Sequence, residues 1–506
     1  MTTPSTHREF ERKVRVTEDF RLADLPSPSI GAPREQIDLR ATYHDTDDLS
    51  LLRWGVTLRR REGGEDQGWH LKLPVPGSDG SQRDEVHLPL DAGDIGAVPA
   101  QFVHIVSPLI GERTLIPLVE VSTARTAYDL LDADLTRQAE LVDDLVTITR
   151  GGKLADSFRE IEVEAVDADS AASRAMVEAV VTELVGQGAT PSSVSKAAQA
   201  LGDRAGDPAD VPDLPMVSRN GLAVDAIRAI LARHVRHLIL SDVAVRRDLP
   251  DSVHQCRVAA RRLRSTFTAF KTFLDAERIE LLSEELGWLA RELGALRDGE
   301  VLLERLLDDA DDLDGEARAA ASEAISDHLN RRMHAARSSV TAALRSDRHQ
   351  ELIEDLVAMV AAPPVTDLAY APADQALLPV FGEAWKRLAR TIGKLEISSP
   401  SADWHAARIK AKRTRYLADA MVDLFGKPMR KIARGLSEVT DTLGIHQDAH
   451  VAQVELERIA RASDGLAAFA LGRIHEHEVD AELLVRIEFP DVWKKARRTV
   501  KGSGLV

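Results

Sequence analysis

The 506-residue sequence has few of the features of secreted or membrane proteins. Its single cysteine, Cys256, cannot form an intramolecular disulfide, which favours a reducing compartment. No apolar run approaches the roughly 20 residues of a membrane helix, and no signal-peptide core follows Met1. These absences predict a cytoplasmic protein that has no membrane partner.

Positive charge and aromatic side chains are also scarce. The chain has 82 acidic residues against 65 lysines and arginines, and its formal net charge is −17. This balance argues against a general affinity for nucleic acid. Aromatic residues make up 4% of the chain, so Trp404 and Trp493 are interpreted as core anchors rather than base-stacking platforms. No GxxxxGK[ST] loop is present, which excludes that way of binding phosphate.

The two halves of the chain have different periodicities. Residues 1 to about 200 contain short alternating segments such as EFERKVRV and FREIEVEAV, which are typical of antiparallel strands. GDRAGDPADVPDLP (202–215) has the composition of a linker, and helical spacing dominates after it. We therefore predict an α+β protein with a first domain at 1–202, a linker at 203–217 and an all-α helical bundle at 218–506.

The helical half contains an internal repeat. HQCRVAARRLR begins at His254 and HAARIKAKRTR begins at His405, an offset of 405 − 254 = 151 residues. Downstream, LGALRD at 293–298 matches LGIHQD at 443–448, an offset of 443 − 293 = 150. Two matches at nearly one offset predict two related multi-helix units, at about 218–365 and 370–506.

Charged residues alternate along several strands of the first half. Glu9 and Glu11 lie two apart, as do Glu160, Glu162 and Glu164, so each set shares one face of its strand at about 6.5–7 Å spacing. A solvated sheet face would explain any one of these strands. Other strands present arginines and lysines, and a closed barrel would bring both sets into one interior. Such an interior suits a metal ion together with a polyphosphate.

The run Glu9-Phe-Glu11-Arg-Lys13 resembles the ExExK signature of CYTH domains, the triphosphate tunnel metalloenzymes, over about residues 1–200. The matching series continues in order through Arg59 and Arg61 in TLRRRE, Lys72 in WHLKLP, Arg83 and Glu85 in RDE, Arg125 in STARTAY, Asp144 in LVDDLVTI, Glu160, Glu162 and Glu164 in FREIEVE, and Lys196 in PSSVSKAAQAL. The resemblance implies an eight-stranded antiparallel tunnel barrel with helices outside it.

The same resemblance implies roles for these residues. The residues implied to hold Mg²⁺ or Mn²⁺ are Glu9, Glu11, Asp144, Glu160, Glu162 and Glu164, with Asp143 as the alternative to Asp144. Those implied to grip triphosphate are Lys13, Arg59, Arg61, Lys72, Arg83, Arg125 and Lys196. Within these sets, Glu9, Glu11, Lys13 and Lys72 are taken as catalytic. Glu85 either binds metal or holds an arginine. The nearby histidines, His7, His70 and His87, are interpreted as structural or solvated.

Two basic stripes lie on helices of the second half. His254, Arg257, Arg261 and Arg264 fall at i, i+3, i+7 and i+10, which places them on one narrow face. The second repeat reproduces this stripe from His405. A solvated arginine face would explain one such helix. Two stripes facing each other would form a cationic groove that fits an extended polyanion.

This half resembles the CHAD domain, the conserved-histidine α-helical domain, over about 218–506. The family implies binding of inorganic polyphosphate by the basic face, here His254, Arg257, Arg261, Arg262, Arg264, Arg297, His405, Arg408, Lys412, Arg413 and Arg415. The second repeat departs from the first at His446, which either adds charge at low pH or packs. The basic run WKKARRTVKG (493–502) either extends the groove or is a solvated tail.

Together these patterns predict an enzyme that hydrolyses inorganic triphosphate with Mg²⁺ or Mn²⁺ in the barrel and binds polyphosphate on the bundle. Four alternatives remain open at this stage. They are a thiamine triphosphatase, a nucleoside triphosphatase, an adenylate cyclase and a non-catalytic polyphosphate-binding protein.

Overall fold

A computed structural model describes residues 5–22, 29–75, 82–150 and 152–505 of the chain. The chain divides into two compact units, Met1–Asp210 and Val211–Val506. The predicted linker spans this division. Its first residues pack within the first unit, where Arg204 donates a 2.7 Å hydrogen bond to the Asp47 carbonyl.

The described part of the first unit contains ten strands and four α-helices. The strands are β1 Ser5–Val16, β2 Ser29–Ile30, β3 Ile37–Asp45, β4 Thr57–Glu62, β5 Gly68–Pro74, β6 Gln82–Leu88, β7 Ile116–Leu131, β8 Arg137–Arg150, β9 Lys153–Ala165 and β10 Thr190–Ser192. The helices are α1 Ser50–Arg53, α2 Ala100–Ile110, α3 Ala171–Gly186 and α4 Lys196–Leu201.

Eight of the strands close into a barrel. The order runs β1-β6-β5-β4-β3-β7-β8-β9 and returns to β1 through a direct β1–β9 pairing, and all these pairs are antiparallel. The short strands β10 and β2 extend the sheet beside β1 and β7. The predicted eight-stranded antiparallel barrel is therefore confirmed, and closure leaves no open edge along its wall.

The pleat of each strand sorts apolar from charged side chains. On β1, Phe10 and Val14 are buried on the outer face, whereas Glu9, Glu11 and Lys13 alternate with them and point inward. The outer residues join a core with α3 that includes Phe10, Val14, Leu141, Ile161, Val163, Val177, Val180 and Leu184. The hydrophobic core of this unit thus lies outside the barrel and leaves its interior to polar groups.

The second unit is entirely helical within its described residues. Its helices are α5 Ala223–Arg246, α6 Ser252–Phe270, α7 Ala276–Asp311, α8 Gly315–Leu344, α9 Asp347–Ala361, α10 Ala373–Ile392, α11 Ser401–Ala420, α12 Val422–Phe425, α13 Lys427–Arg461 and α14 Gly465–Gly502. None of the helices in the described chain is long and apolar enough to cross a membrane.

The helices repeat in the order that the sequence predicts. The starts of α5 and α10 differ by 373 − 223 = 150 residues, and those of α7 and α13 by 427 − 276 = 151. The pairs α6 with α11 and α8 with α14 complete the correspondence, whereas α9 and the short α12 each belong to one repeat alone. The prediction of two related multi-helix units is thus confirmed, and four helix pairs make up the repeat.

Candidate active site

The barrel interior holds a cavity of about 560 Å³ that is lined mainly by charged side chains. Cross-strand register creates this lining, since Glu11 stands opposite Glu164, Lys13 opposite Glu162, and Lys72 opposite Glu85. The sequence-predicted residues that line the cavity are Glu9, Glu11, Lys13, Arg59, Arg61, Lys72, Arg83, Glu85, Arg125, Glu162, Glu164 and Lys196.

A buried carboxylate cluster lies in the barrel beside Lys196. Lys196 is the first residue of α4, and its Nζ lies 2.8 Å from carboxylate oxygens of Asp144, Glu160 and Glu162. Ligand atoms of these three acids all lie within 4.8 Å of one another. Glu160 is fully buried and has Lys196 as its nearest cation. Three oxygen donors at this spacing match the ligands of a hard divalent cation.

The structure also separates Asp144 from Asp143, the alternative that the sequence left open. Asp144 is fully buried and accepts hydrogen bonds of 2.8 and 2.6 Å from Arg125. Asp143 pairs instead with Arg159 at 2.7 Å. Arg159 also donates a hydrogen bond to the Phe20 carbonyl. Adjacent strand residues face opposite sides, so Asp144 belongs to the interior and Asp143 to the exterior.

A second acidic group lies around Glu9 and Glu85. Lys72 Nζ lies 2.7 Å from Glu9, and His70 Nδ1 lies 2.6 Å from Glu85. His7 Nε2 is 3.4 Å from Glu9 and 3.6 Å from Glu85, which makes these three residues another potential set of metal ligands. Burial lowers the pKa of His70 to about 3, so this histidine is a neutral hydrogen-bonding partner of Glu85.

The balance of charge differs among the tunnel residues. Burial and the nearby Glu9 carboxylate raise the pKa of Glu164 to about 8. Burial and the neighbouring Arg59 lower the pKa of Arg61 to about 9. Burial by itself would lower the pKa of Lys72, but Glu85 and Glu9 outweigh it and raise that pKa. Most charges in the interior are thus stabilised by neighbours of opposite sign. For Glu164 and Arg61, burial and like-charged neighbours still favour the neutral form.

Two further residues belong to this network although the sequence analysis gave neither of them a role in the site. Tyr43 stands opposite Arg59 in the β3–β4 register and lines the cavity. Arg15 Nε lies 3.7 Å from Glu160, and its guanidinium lies 3.4 Å from the centre of the Phe158 ring. Arg15 continues the Glu9-Glu11-Lys13 alternation, which is the signal that would have identified it.

In the second unit, the stripes on α6 and α11 face each other. Arg261 and Arg264 of α6 line one cavity of about 310 Å³ together with His405, Arg408, Lys412 and Arg413 of α11. Burial, followed by the neighbouring Arg408 and Arg261, lowers the pKa of Lys412 to about 7. We call these facing residues the basic groove.

The other predicted basic residues lie outside this cavity. Arg257 forms an ion pair with Asp298, Arg297 lies 3.3 Å from Glu300, and Arg415 donates to Thr440 at 2.8 Å. Arg262 lies 5.9 Å from the Tyr416 ring centre. His254 is partly buried and lies among the charges of Asp251, Arg297, Arg257 and Lys412.

His446, whose role the sequence left open, is buried and stacks on Trp404 at 5.0 Å between ring centres. Burial lowers its pKa to about 4, so it packs as a neutral ring at ordinary pH.

Comparison with known proteins agrees with both halves of this description. The model of the CYTH domain family matches residues 7–199, and the model of the CHAD domain family matches residues 229–457. Uncharacterized proteins Rv2226 and MT2285, from the H37Rv and CDC 1551 strains of Mycobacterium tuberculosis, are each 31% identical over 532 residues, covering 98% of both chains.

Among solved structures, PptA from Streptomyces chartreusis is 23% identical with a TM-score of 0.47, covering 54% of this chain and all of its own. The chain therefore carries one CYTH domain and one CHAD domain and belongs to the same family as the two mycobacterial proteins.

Proposed function

We propose that the CYTH barrel hydrolyses inorganic triphosphate with the help of Mg²⁺ or Mn²⁺, and that the CHAD bundle binds inorganic polyphosphate. One observation carries the first part: buried carboxylates and buried cations converge on one cavity inside a closed barrel. A phosphate chain with its metal ion satisfies both sets, because arginine and lysine bind phosphate oxygens and carboxylates bind the metal.

The carboxylates fit a divalent cation by their chemistry and spacing. Asp144, Glu160 and Glu162 offer oxygen ligands only, and their ligand atoms lie within 4.8 Å of one another. A bound Mg²⁺ or Mn²⁺ would neutralise phosphoryl oxygens and lower the pKa of a coordinated water. Glu9 with Glu85 forms the other acidic group, where His7 adds a nitrogen ligand.

The cations of the tunnel would hold the phosphate chain in line. Lys72 and Lys13 lie beside the two acidic groups, where they can neutralise charge on the phosphoryl oxygens. Arg59, Arg61 and Arg125 line the same cavity and present guanidinium forks, which bind phosphate with two parallel hydrogen bonds. Fixed charges in a protected interior lower the barrier because they need no reorganisation during the reaction.

The lining favours an inorganic substrate over a nucleotide or thiamine ester. Among the described residues around the cavity, Tyr43 is the only phenylalanine, tyrosine or tryptophan, and its side chain faces Arg59. Base and thiazole rings are usually held by apolar and aromatic surfaces with a few polar contacts. A cavity lined by charge suits a ligand that is charged along its whole length.

A phosphate-release panel tests this proposal and its alternatives. The full chain should release phosphate from inorganic triphosphate with Mg²⁺ or Mn²⁺, faster than from thiamine triphosphate or ATP. Glu9→Ala should abolish this release, whereas Glu120→Ala, which removes a partly exposed β7 carboxylate 3.6 Å from Arg40, should leave it unchanged.

Each contrary outcome of the panel points to a named alternative. Preferential turnover of ATP to phosphate or to cyclic AMP would replace the proposal with a nucleoside triphosphatase or a cyclase. A preference for thiamine triphosphate would indicate a thiamine triphosphatase. No turnover of any triphosphate, with polyphosphate binding retained, would identify a binding protein.

The second part of the proposal depends on the basic groove. Arg261, Arg264 and Lys412 meet Arg408 and Arg413 there, and their nearest charged neighbours are mostly other cations. Like charges at this spacing repel one another unless an anion lies between them. A chain of phosphates satisfies this requirement along the length of two helices.

A further inference from the structure

The helical unit contains another cavity whose chemistry differs from that of the basic groove. It measures about 860 Å³ and is formed by α10 and the following segment 393–397, Trp404 of α11, and the C-terminal half of α14. Its lining shares no residue with the basic groove. Sites for small molecules in proteins typically measure about 300–1,000 Å³ and combine apolar walls with a few placed polar groups.

The floor of this cavity is aromatic. The ring centres of Trp385 and Trp493 lie 5.1 Å apart, and those of Trp404 and Phe489 lie 5.4 Å apart in an edge-on arrangement. Aliphatic walls come from the end of α10 and from Ile397, whose side chain is 52% exposed. Three of the six tryptophans of the chain thus meet at one cavity, although aromatic residues are scarce overall.

The rim of the cavity is cationic and lacks internal partners. Helical spacing places four exposed side chains of α14 along one edge, namely Lys494, Arg497, Arg498 and Lys501. Within the described chain, no ion pair or hydrogen bond engages any of these four side chains. The neighbouring Lys495, by contrast, pairs with Glu438 at 2.8 Å and lies outside the lining. Glu396 is the one carboxylate among the described lining residues.

The lining therefore offers an aromatic floor and a row of cations that lack partners among the described residues.

We propose that this cavity binds a nucleoside phosphate, with the base on the tryptophan floor and the phosphates on the α14 rim. The base supplies a flat ring system for the tryptophan floor, and the phosphates supply the negative charge that the four cations lack. An inorganic phosphate chain has no apolar part and would leave the floor in contact with water. The site is separate from the proposed polyphosphate groove and does not depend on it.

Calorimetric titration of the full chain with ADP, adenosine and pyrophosphate tests this proposal, with EDTA present to prevent turnover. We expect ADP to bind at least about tenfold more tightly than adenosine or pyrophosphate. Only ADP carries both a base for the tryptophan floor and phosphates for the cationic rim. The double variant Lys494→Gln with Arg497→Gln should weaken ADP binding by about tenfold or more. Lys495→Gln, on the same helix but outside the lining, should bind ADP like the native chain.

The barrel provides a second, distinguishable place for phosphates, and the variants separate the two. A titration in which the α14 double variant binds ADP as the native chain does would overturn the proposal. Equal affinity for pyrophosphate and ADP would also overturn it, since the aromatic floor would then contribute nothing. Binding of poly-glutamate or phosphatidylglycerol vesicles through the same two cations, without a response to ADP, would instead indicate a peptide or a lipid surface.

Discussion

In the barrel, Lys196 lies 2.8 Å from three carboxylates, whereas Lys412 in the bundle has Arg408 and Arg261 as its principal charged neighbours. The pKa values of the two lysines shift in opposite directions: that of Lys196 is raised because the acids outweigh burial, and that of Lys412 falls to about 7. A compensated site needs a ligand that carries both signs, whereas an uncompensated site needs only an anion.

The barrel cavity and the basic groove therefore suit different forms of a phosphate ligand. Inside the barrel, the register places a carboxylate opposite Lys13, Lys72, Arg83 and Arg125, which suits a metal ion together with a phosphate chain. In the basic groove, the facing helices supply cations from both sides, which suits a phosphate chain alone. Under the proposed function, turnover would belong with the first arrangement and retention with the second.

The largest effect is expected when the positive charge of Lys196 is removed from among its three carboxylates. Lys196→Met leaves Asp144, Glu160 and Glu162 buried together without their shared cation, which should destabilise the first unit by about 3–5 kcal/mol. Urea unfolding measures this change. Added Mn²⁺ should restore part of the stability, because it would neutralise the same acids.

The control for this variant is Lys153→Met, at the exposed start of β9, which should change stability by no more than about 0.5 kcal/mol. Unchanged stability of Lys196→Met in the absence of metal would mean that the three acids are not charged together, contrary to the proposed site.

A smaller effect is expected from two facing arginines of the basic groove. Arg261→Ala with Arg408→Ala should weaken polyphosphate binding by about tenfold or more and should reduce its dependence on salt, because binding then releases fewer counterions. Hydrolysis of triphosphate in the barrel should persist. Binding isotherms at two salt concentrations, with a parallel phosphate-release assay, measure both quantities.

Arg318→Ala with Arg461→Ala provides the matched control, because both arginines are exposed, ion-paired and outside the basic groove. Polyphosphate affinity that stays the same in the Arg261 and Arg408 variant would show that the basic groove does not bind the phosphate chain.

The smallest expected effect concerns pH. Because the pKa of Lys412 is about 7 in the free protein and an adjacent phosphate chain would raise it, binding takes up a proton. Polyphosphate affinity should therefore fall as the pH rises above 7, by at most about tenfold per pH unit for one proton. Lys412→Arg, which stays charged, should flatten this dependence over pH 7–9. A native profile as flat as that of the variant would argue against a neutral Lys412.

Particular patterns in the sequence were sufficient to predict an antiparallel sheet or barrel followed by a helical bundle, whereas the number of eight strands came from the resemblance to CYTH domains. The alternation of Glu9, Glu11 and Lys13 with Phe10 and Val14 predicted a strand with one charged and one apolar face, and the barrel has both. The repeat offset of 150–151 residues predicted two related multi-helix units, and the helices repeat at that offset. Such periodicities are local, so a single chain displays them without tertiary information.

The partners of each charge could not be predicted in the same way. Lys196 was assigned to phosphate from its place in the series, but its contact with three acids depends on where α4 begins against the barrel. Asp143 and Asp144 are equivalent in composition and differ only in the face that they present. The basic run at 493–502 lines a cavity because α14 packs against α10. Neither helix sequence by itself predicts this packing.

The sequence by itself determined which residues share a strand or helix face, because backbone periodicity converts spacing into direction. Only the tertiary structure decided which faces meet, which cations find carboxylates and which remain unpaired. The physical reason is that Coulomb interactions depend on distance and burial, and both arise when strands 150 residues apart, such as β1 and β9, come into register.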